Sequence, residues 1–510
     1  MDRRPLPRPL RAVVGLTAGR RYAIGAVCML VALLGWALAS PVGASPDENY
    51  HLGSIWCGQG IRTGVCEPGE SAASRRLPSQ LPSAVRCYAF EPTQTPTCQP
   101  DLSHPGELTD AEAVNASGLY PPVFYWVASF FVGDDITVTV MAIRVFNAFF
   151  YIGIVTAVYL LVGARLRRPL VLGALITAVP LGLFLIPSVN PSSWAILSAT
   201  TFFVSLVGHL TADERRRRIA LGVLAGVCLV IGAGARADAA IYGVVAVVAA
   251  VVLTWRREGA VRRLVYPGLL ALAAAVTFLL PAQTNAANPG GQTFSASRFV
   301  AILADVPALW IGGAGSPPPQ RDFLPHQAWG LGWLDTAMPG VVWVGVWGVF
   351  AAVLFAAVTT EVTRRRMLAV GVTGAAALLI PAYVQYLGQT SVGRYVQPRY
   401  VLPLLILLGI TALVRLDGPP LRVTRGQRWI IVGVLTIANA AAVYMNVRRY
   451  VTGVDSKNWN LDSAAEWWWN LPVTPMTLCA LVTIAFGAGA VLLTSGLSDE
   501  ARPTAPARAG

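Results

Sequence analysis

Charged residues are scarce in this sequence, because Asp, Glu, Lys and Arg together make up only 13% of its 510 residues. A soluble protein of this size carries about twice that share. Hydrophobic residues make up 55%, and apolar runs of roughly 20 residues, the length that crosses a bilayer, recur along most of the chain. The sequence therefore predicts an all-α, polytopic transmembrane helical bundle rather than a soluble domain.

Motifs for handling soluble nucleotides are also missing. The sequence has no Walker motif, no dinucleotide-binding fingerprint and no Ser–His–Asp signature. A net charge of +13 would suit a nucleic-acid partner, but the arginines stand in short clusters between apolar runs. This is the positive-inside pattern of membrane proteins, so the charge indicates topology and no nucleic-acid partner is expected.

The apolar runs predict about twelve membrane spans. An even number of spans, with an arginine-rich start, places both termini in the cytoplasm. Residues 1–21 are then a basic cytoplasmic segment, 22–494 the membrane domain and 495–510 a disordered cytoplasmic tail. A cleaved signal peptide is the alternative to the first span. The predicted spans are 22–40, 138–162, 169–188, 193–210, 219–235, 239–254, 264–281, 339–360, 367–386, 400–414, 429–446 and 474–494.

Two long loops, 41–137 and 282–338, fall on the extracytoplasmic side of this topology. Long ordered loops in a compact membrane protein usually carry function. The first contains Cys57, Cys66, Cys87 and Cys98, which predict two disulfides in an oxidising compartment, with the pairing left open. A metal site is the rival interpretation of the four cysteines, but it lacks a CxxC pattern or a neighbouring histidine.

Two adjacent carboxylates, Asp47 and Glu48, follow the first span, with His51 close behind. Carboxylates at the membrane surface suit a general base or a metal ligand that acts on a substrate whose lipid tail stays in the bilayer. The alternative is a solvated loop that begins with a proline turn. The sequence does not decide which of the two carboxylates would be the base.

Further polar and aromatic residues stand at the outer helix ends. Arginine on the outer side breaks the positive-inside rule, and a bound phosphate explains it, because the guanidinium fork matches phosphate oxygens. Pairing with a nearby carboxylate such as Asp238, or snorkelling, is the alternative. The candidate substrate-binding residues are His51, Tyr120, Tyr125, Asn190, Arg236, Arg394, Tyr395 and Arg399.

Together these motifs resemble a known family. Pro46-Asp47-Glu48 with His51, Tyr120-Pro121-Pro122 with Tyr125, Asn190-Pro191, and Gly393-Arg394-Tyr395 with Pro398 resemble the domain-of-unknown-function 2142 family of predicted bacterial membrane proteins, over about residues 20–450. That family is similar to the polytopic C-type glycosyltransferases, which include protein mannosyltransferases, aminoarabinose transferases and mycobacterial arabinosyltransferases.

The resemblance implies an enzyme that moves a sugar from a polyprenyl-phosphate donor to a glycan or lipid acceptor of the cell envelope, with inversion. Of Asp47 and Glu48, one would act as base or orient the acceptor and the other would bind a divalent cation, the only cofactor implied. Arg394 would neutralise the departing lipid phosphate, on physical grounds. The sequence departs from the superfamily in lacking a clear second acidic motif, for which Asp101, Asp110 and Glu112 are candidates, and a large C-terminal outer domain.

Two other functions remain open. A transporter or lipid-linked-glycan flippase should carry ionisable residues in the middle of its spans. The apolar runs have almost none, which favours the enzyme. A non-catalytic envelope scaffold predicts that Asp47→Asn leaves the cell-wall glycans unchanged.

Overall fold

The computed structural model describes residues 17–82, 84–279, 294–312, 330–359, 362–389, 392–393, 396–418, 421 and 423–497. These residues are mostly helical, as the apolar runs predict. In chain order the α-helices are α1 Ala18–Leu38, α2 Glu48–Trp56, α3 Val123–Ala128, α4 Ile136–Leu161, α5 Ala164–Ala178, α6 Leu181–Leu185, α7 Ser192–Thr211, α8 Arg215–Ala233, α9 Ala237–Thr254, α10 Ala260–Leu279, α11 Ala296–Gly312, α12 Gly340–Thr359, α13 Arg364–Leu387, α14 Pro398–Leu413, α15 Arg425–Val451 and α16 Pro475–Thr494.

Within the described residues, nine helices are long and apolar enough to cross a membrane, namely α1, α4, α7, α9, α10, α12, α13, α15 and α16. The prediction of a multi-pass membrane protein is therefore confirmed, whereas the count of twelve spans is not. The predicted span 169–188 is divided at Pro180 into α5 and α6, and 219–235 belongs to α8, which begins with four arginines. The predicted span 400–414 corresponds to the 16-residue α14, which is buried almost throughout. At about 24 Å, this helix is shorter than the hydrocarbon core of a bilayer, which is roughly 30 Å thick.

Side chains that cap the N-terminus explain where several helices begin. Thr17, Asp135, Thr363 and Thr474 each accept a hydrogen bond from a backbone N–H in the first turn of α1, α4, α13 and α16. Thr424 forms a complete capping box at the start of α15. Such caps satisfy backbone donors that the helix itself leaves unpaired.

The arginine clusters of the short connections meet at one end of the bundle, called here the basic end. Arg217 Nε donates to the Leu161 carbonyl, Arg165 to the Leu416 carbonyl, and Arg366 to the carbonyls of Ala357 and Ala412. These carbonyls lie at or near the C-terminal ends of helices, where cations complement the helix dipole. The predicted alternation of charged loops is thus reflected in the tertiary structure, while the side of the membrane stays a prediction.

Residues 41–135, called here the loop segment, fold at the opposite end. They contain α2, α3 and a small antiparallel sheet in which β2 (Arg75–Pro78) lies between β1 (Glu67–Pro68) and β3 (Leu108–Ala111). The two predicted disulfides are confirmed, and the pairing that the sequence left open is Cys57–Cys66 and Cys87–Cys98. These cross-links and the sheet hold a segment that has few long helices of its own.

The stretch 282–338, predicted as a second long loop, includes the helix α11. Its apolar face, which includes Val306 and Leu309, packs against α13 and α14. Residues 282–293 and 313–329 of this region lie outside the described residues. Helices α1, α4, α7, α9 and α14 each begin or end at the same end of the bundle as the loop segment, and their termini supply the residues of the candidate site.

Candidate functional site

Asp47 stands at the N-terminus of α2 and forms an ion pair with the start of α14. Its Oδ2 lies 2.6 Å from Arg399 Nη2, and its side chain is 46% exposed, whereas that of Arg399 is only 5% exposed. The backbone of Asp47 is left-handed, with φ of 59°, a conformation uncommon for residues other than glycine. Asp47 makes no side-chain cap to its own helix, so this conformation leaves its carboxylate free to reach Arg399. An accessible carboxylate therefore lies directly beside a buried cation.

Glu48 occupies a different environment, although it is the next residue. Its side chain is fully buried, and its two oxygens accept hydrogen bonds from the backbone N–H groups of Gly43 and Ser45, at 3.1 and 2.8 Å. Glu48 Oε1 also lies 3.3 Å from Arg144 Nη2. Both carboxylate oxygens are thus already engaged within the protein. The geometry distinguishes the two carboxylates, which the sequence alone did not.

Arg144 extends the structural role of Glu48. Its guanidinium donates to the carbonyls of Ala37, Ser40 and Pro41, where the chain leaves α1. Sequence reasoning missed this arginine, although a charge inside the predicted span 138–162 is itself a signal, because such residues are rare and need a partner. The Arg144–Glu48 pair joins α4 to the loop segment and so fixes the position of Asp47.

His51 and two tyrosines form an aromatic cluster behind Asp47. His51 Nδ1 and the Tyr125 hydroxyl are 2.9 Å apart, and the Tyr120 ring stands edge-on to the imidazole at 5.5 Å. Burial lowers the pKa of His51 to about 3, so the imidazole is neutral at physiological pH. Burial likewise raises the pKa of the Tyr120 and Tyr125 hydroxyls above the ordinary value, which keeps both protonated. The cluster supplies neutral hydrogen-bonding groups and no charge.

Arg236 contributes a second guanidinium. It forms a bidentate pair with Asp238, at 2.9 and 2.7 Å, and its Nη1 lies 3.4 Å from the Ser192 hydroxyl. The pairing with Asp238 that the sequence offered as an alternative therefore exists. The same guanidinium lies over the rings of Tyr120 and Tyr400, at 5.8 and 4.4 Å from their centroids.

Tyr400 links the two arginines. The Arg399 guanidinium lies 4.7 Å from the Tyr400 centroid, and its Nη2 donates to the Tyr400 hydroxyl at 2.8 Å. Tyr242 on α9 holds the Tyr400 carbonyl through a hydrogen bond of 2.9 Å. The sequence did not single out Tyr400 for a role, and its position directly after Arg399 was the one available signal. Two guanidiniums on one tyrosine ring create a locally cationic surface beside Asp47.

Asn190 positions the loop that carries Asp47. Its Nδ2 donates to the Pro46 carbonyl at 2.8 Å, while its Oδ1 accepts from the Ser192 backbone N–H at 2.9 Å. Because Asn190 is 1% exposed and both ends of its amide are used, it acts on the site through these contacts. Of the remaining candidates, Arg394 and Tyr395 lie outside the described residues.

The formal charges of the protein groups at the site balance. Arg236 and Arg399 supply two positive charges, Asp47 and Asp238 supply two negative ones, and His51 is neutral. Glu48 does not fit the predicted divalent cation, because both of its oxygens are already hydrogen-bonded inside the protein, whereas Asp47 bonds Arg399 through Oδ2. Across the part of the chain that the structure describes, no group of three or more His, Cys, Asp or Glu side chains is arranged to hold a metal ion. An anion at this site would compete with Asp47 and Asp238 for the two guanidiniums.

Comparisons with known proteins found matches among solved structures. Solved structures that match include ArnT from Cupriavidus metallidurans in the apo state and the same protein bound to undecaprenyl phosphate, with TM-scores of 0.43 and 0.44. In both, the identity is 15%, and the match covers 94% of this chain and 78% of the ArnT chain. No match was found among curated proteins.

The family resemblance that the motifs indicated is confirmed. A family model described as a predicted membrane protein (DUF2142) matches residues 30–408, which is well over half of the chain and includes Asp47, His51, Tyr120, Arg236 and Arg399. This protein therefore belongs to the DUF2142 family of predicted membrane proteins.

Proposed function

We propose that this protein is a membrane glycosyltransferase that moves a sugar from a polyprenyl-phosphate donor to a cell-envelope acceptor on the extracytoplasmic face. The observation that carries the proposal is the Asp47–Arg399 pair, an accessible carboxylate 2.6 Å from a buried guanidinium. Transfer from a lipid phosphate requires a base for the acceptor hydroxyl and a cation for the departing phosphate, and these two residues provide both.

In the proposed reaction, Asp47 accepts the proton of the acceptor hydroxyl as that oxygen attacks the anomeric carbon of the donor sugar. The bond between this carbon and the phosphate oxygen breaks, and its electron pair leaves with the polyprenyl phosphate. Arg399, and behind it Arg236, stabilise the charge that develops on the phosphate. Attack from the side opposite the leaving group inverts the anomeric centre, and Asp47 then releases its proton to water.

The ion pair also explains how the base would be kept inactive until the donor arrives. Arg399 Nη2 donates a hydrogen bond to Asp47 Oδ2. A lipid phosphate that binds to Arg399 competes for this donor, so Asp47 is released when the phosphate takes its place. Glu48 has no equivalent freedom, because it is fully buried and holds Arg144. We therefore assign the base to Asp47 and a positioning role to Glu48.

The loop segment supports the extracytoplasmic location. Its two disulfides form and persist on the oxidising side of a membrane. The arginine-rich connections lie at the other end of the bundle, as the positive-inside rule requires for a cytoplasmic face. The exposed aromatic residues of α3, Trp126 at 52% and nearby Phe130 at 61%, suit the boundary between lipid and water.

A deletion strain tests the proposal whichever sugar the donor carries. If the protein consumes a polyprenyl-phosphate-linked sugar, its loss should make that lipid accumulate, and mass spectrometry of extracted lipids would reveal the sugar by its mass. The unmodified protein should remove the accumulated lipid, and Asp47→Asn should fail to do so. Asp134→Asn is the matched control, because Asp134 is an exposed acid of the same loop segment that is not part of the site. A normal lipid profile in cells carrying only Asp47→Asn would refute the enzyme and favour a scaffold.

A further inference from the structure

A cavity of 230 Å³ lies at the basic end, between the first turn of α1, the junction of α4 and α5, and the C-terminus of α16. A single water needs only about 10–15 Å³, so this space accommodates a larger group. Three arginines line it, namely Arg21, Arg167 and Arg168. No Asp or Glu of the described chain is among its lining residues.

The three arginines are held to different degrees. Arg21 Nη1 donates to the Ser495 hydroxyl at 3.3 Å, and Arg167 donates to the carbonyls of Tyr159 and Leu160. Arg168 has no hydrogen bond or ion pair to any residue that the structure describes. Tyr22 and Tyr159 stack with their ring centroids 3.5 Å apart, and Arg167 lies over the Tyr159 ring at 4.9 Å. The arginines thus share the wall of the cavity with a stacked pair of tyrosines.

An apolar groove continues from this cavity into the membrane-spanning part of the bundle. A second cavity shares Tyr22, Val171 and Leu493 with the first and is otherwise lined by side chains of α1, α4, α5, α16 and the α6 region. Along α1 it reaches from Tyr22 to Leu33. Arg21 and Leu33 are twelve residues apart, so the groove extends roughly 18 Å below the arginines. Its lining is almost wholly hydrophobic, with Met29, Val155 and Phe486 among it.

We propose that this cavity and groove form a binding site for one anionic phospholipid, with its phosphate at Arg21, Arg167 and Arg168 and one acyl chain along the groove. Guanidiniums bind phosphate oxygens through paired, charge-assisted hydrogen bonds, and a free Arg168 supplies such donors. The predicted topology places the basic end on the cytoplasmic side of the membrane, where the lipid leaflet is anionic. Basic pockets between helices on that side suit lipid headgroups. The 21-residue α1 separates the pocket from the Asp47 site by about 30 Å, so the two sites are distinct.

Native mass spectrometry of the full-length protein in neutral detergent tests the proposal. Phosphatidylglycerol and phosphatidylcholine with identical acyl chains are titrated separately, and inorganic phosphate is titrated as a third ligand. We expect one tightly held phosphatidylglycerol and weaker, non-saturating phosphatidylcholine. Arg21→Gln combined with Arg168→Gln should weaken phosphatidylglycerol binding at least about tenfold, because both removed groups are cations that face the phosphate.

Two further variants make the result specific. Arg215→Gln with Arg216→Gln removes the same charge from exposed positions of the basic end outside the cavity, and its phosphatidylglycerol affinity should match the unmodified protein. Val155→Trp fills the groove without changing charge and should also weaken lipid binding. Thermal unfolding checks that each variant is folded. The proposal is overturned if the two double arginine variants lose phosphatidylglycerol affinity equally, or if Val155→Trp binds the lipid normally. It is also overturned if inorganic phosphate binds as tightly as the lipid.

Discussion

Glu48→Gln provides the sharpest test of how the two neighbouring carboxylates differ. Glu48 is fully buried, and it accepts from two backbone N–H groups as well as pairing with Arg144, whose side chain is 3% exposed. Glutamine retains one acceptor but turns an NH₂ group towards donors, and it leaves the arginine charge buried without its partner. Breaking a buried pair in this way costs about 3–5 kcal/mol. We therefore expect Glu48→Gln to lower the free energy of unfolding by roughly that amount.

Asp47→Asn should behave in the opposite way. The carboxylate side of its ion pair is 46% exposed, so water reaches this pair, although the Arg399 side chain is only 5% exposed. The variant should therefore lose less stability than Glu48→Gln and yet lose the transfer activity. Unfolding in mixed micelles measures the first property for both variants, and the accumulation of the lipid-linked sugar in cells measures the second.

A double variant separates the lost pair from other effects. In Glu48→Gln combined with Arg144→Met, the uncompensated charge is gone, so the loss of stability should be smaller than the sum of the two single losses by at least about 1 kcal/mol. The reasoning is refuted if Glu48→Gln unfolds like the unmodified protein and abolishes transfer, while Asp47→Asn retains transfer. In that case Glu48 would be the base and the buried pair would not be structural.

Two other predictions concern the same site. His51 has a pKa of about 3 in the folded protein and 6.5 in the unfolded chain. Between these two pH values the unfolded chain binds more protons than the folded protein. The free energy of unfolding therefore falls as the pH falls, by at most about 1.4 kcal/mol per pH unit. His51→Asn keeps a partner for the Tyr125 hydroxyl. The free energy of unfolding of this variant should differ less between pH 7 and pH 5 than that of the unmodified protein. An equal difference would contradict the buried, neutral state assigned to His51. Arg399→Gln should weaken the binding of a polyprenyl phosphate about 10- to 100-fold, since hydrogen bonds to charged groups contribute about 1.5–3 kcal/mol each. Arg298→Gln, which alters another arginine that lies over a tyrosine ring, is the control and should bind the lipid normally.

Much of the candidate site was recognisable in the sequence, because its residues stand in short motifs of carboxylates, aromatic residues and arginines. Asp47, His51 and Tyr120 were identified from the loop segment, and Arg236 and Arg399 from arginines that break the positive-inside rule. The structure brings these five residues together through their contacts with one another, and Arg236 and Arg399 both lie over the Tyr400 ring. Their partners could not be assigned in advance, because residues 47 and 399 meet only when α2 and α14 are packed.

The fold was predictable in class and less so in detail. Apolar runs and arginine clusters indicate spans and their alternation, because both reflect the transfer of side chains from water to lipid. Hydropathy alone does not separate a lipid-crossing helix from a short buried one, which is why α14 was expected as a span. The division of 169–188 into α5 and α6 at Pro180 was likewise not visible in the pattern.

The sequence by itself determined that this chain is a helical membrane protein, that its arginines gather between spans, and that its first loop carries four cysteines and two carboxylates. These are properties of composition and local order, and they depend on solvation more than on distant contacts. Only the tertiary structure decided the disulfide pairing, the burial of Glu48 against Arg144 and the exposure of Asp47 beside Arg399. The physical reason is that burial and ion pairing depend on which helix ends meet, and adjacent residues of the same type can face entirely different surroundings.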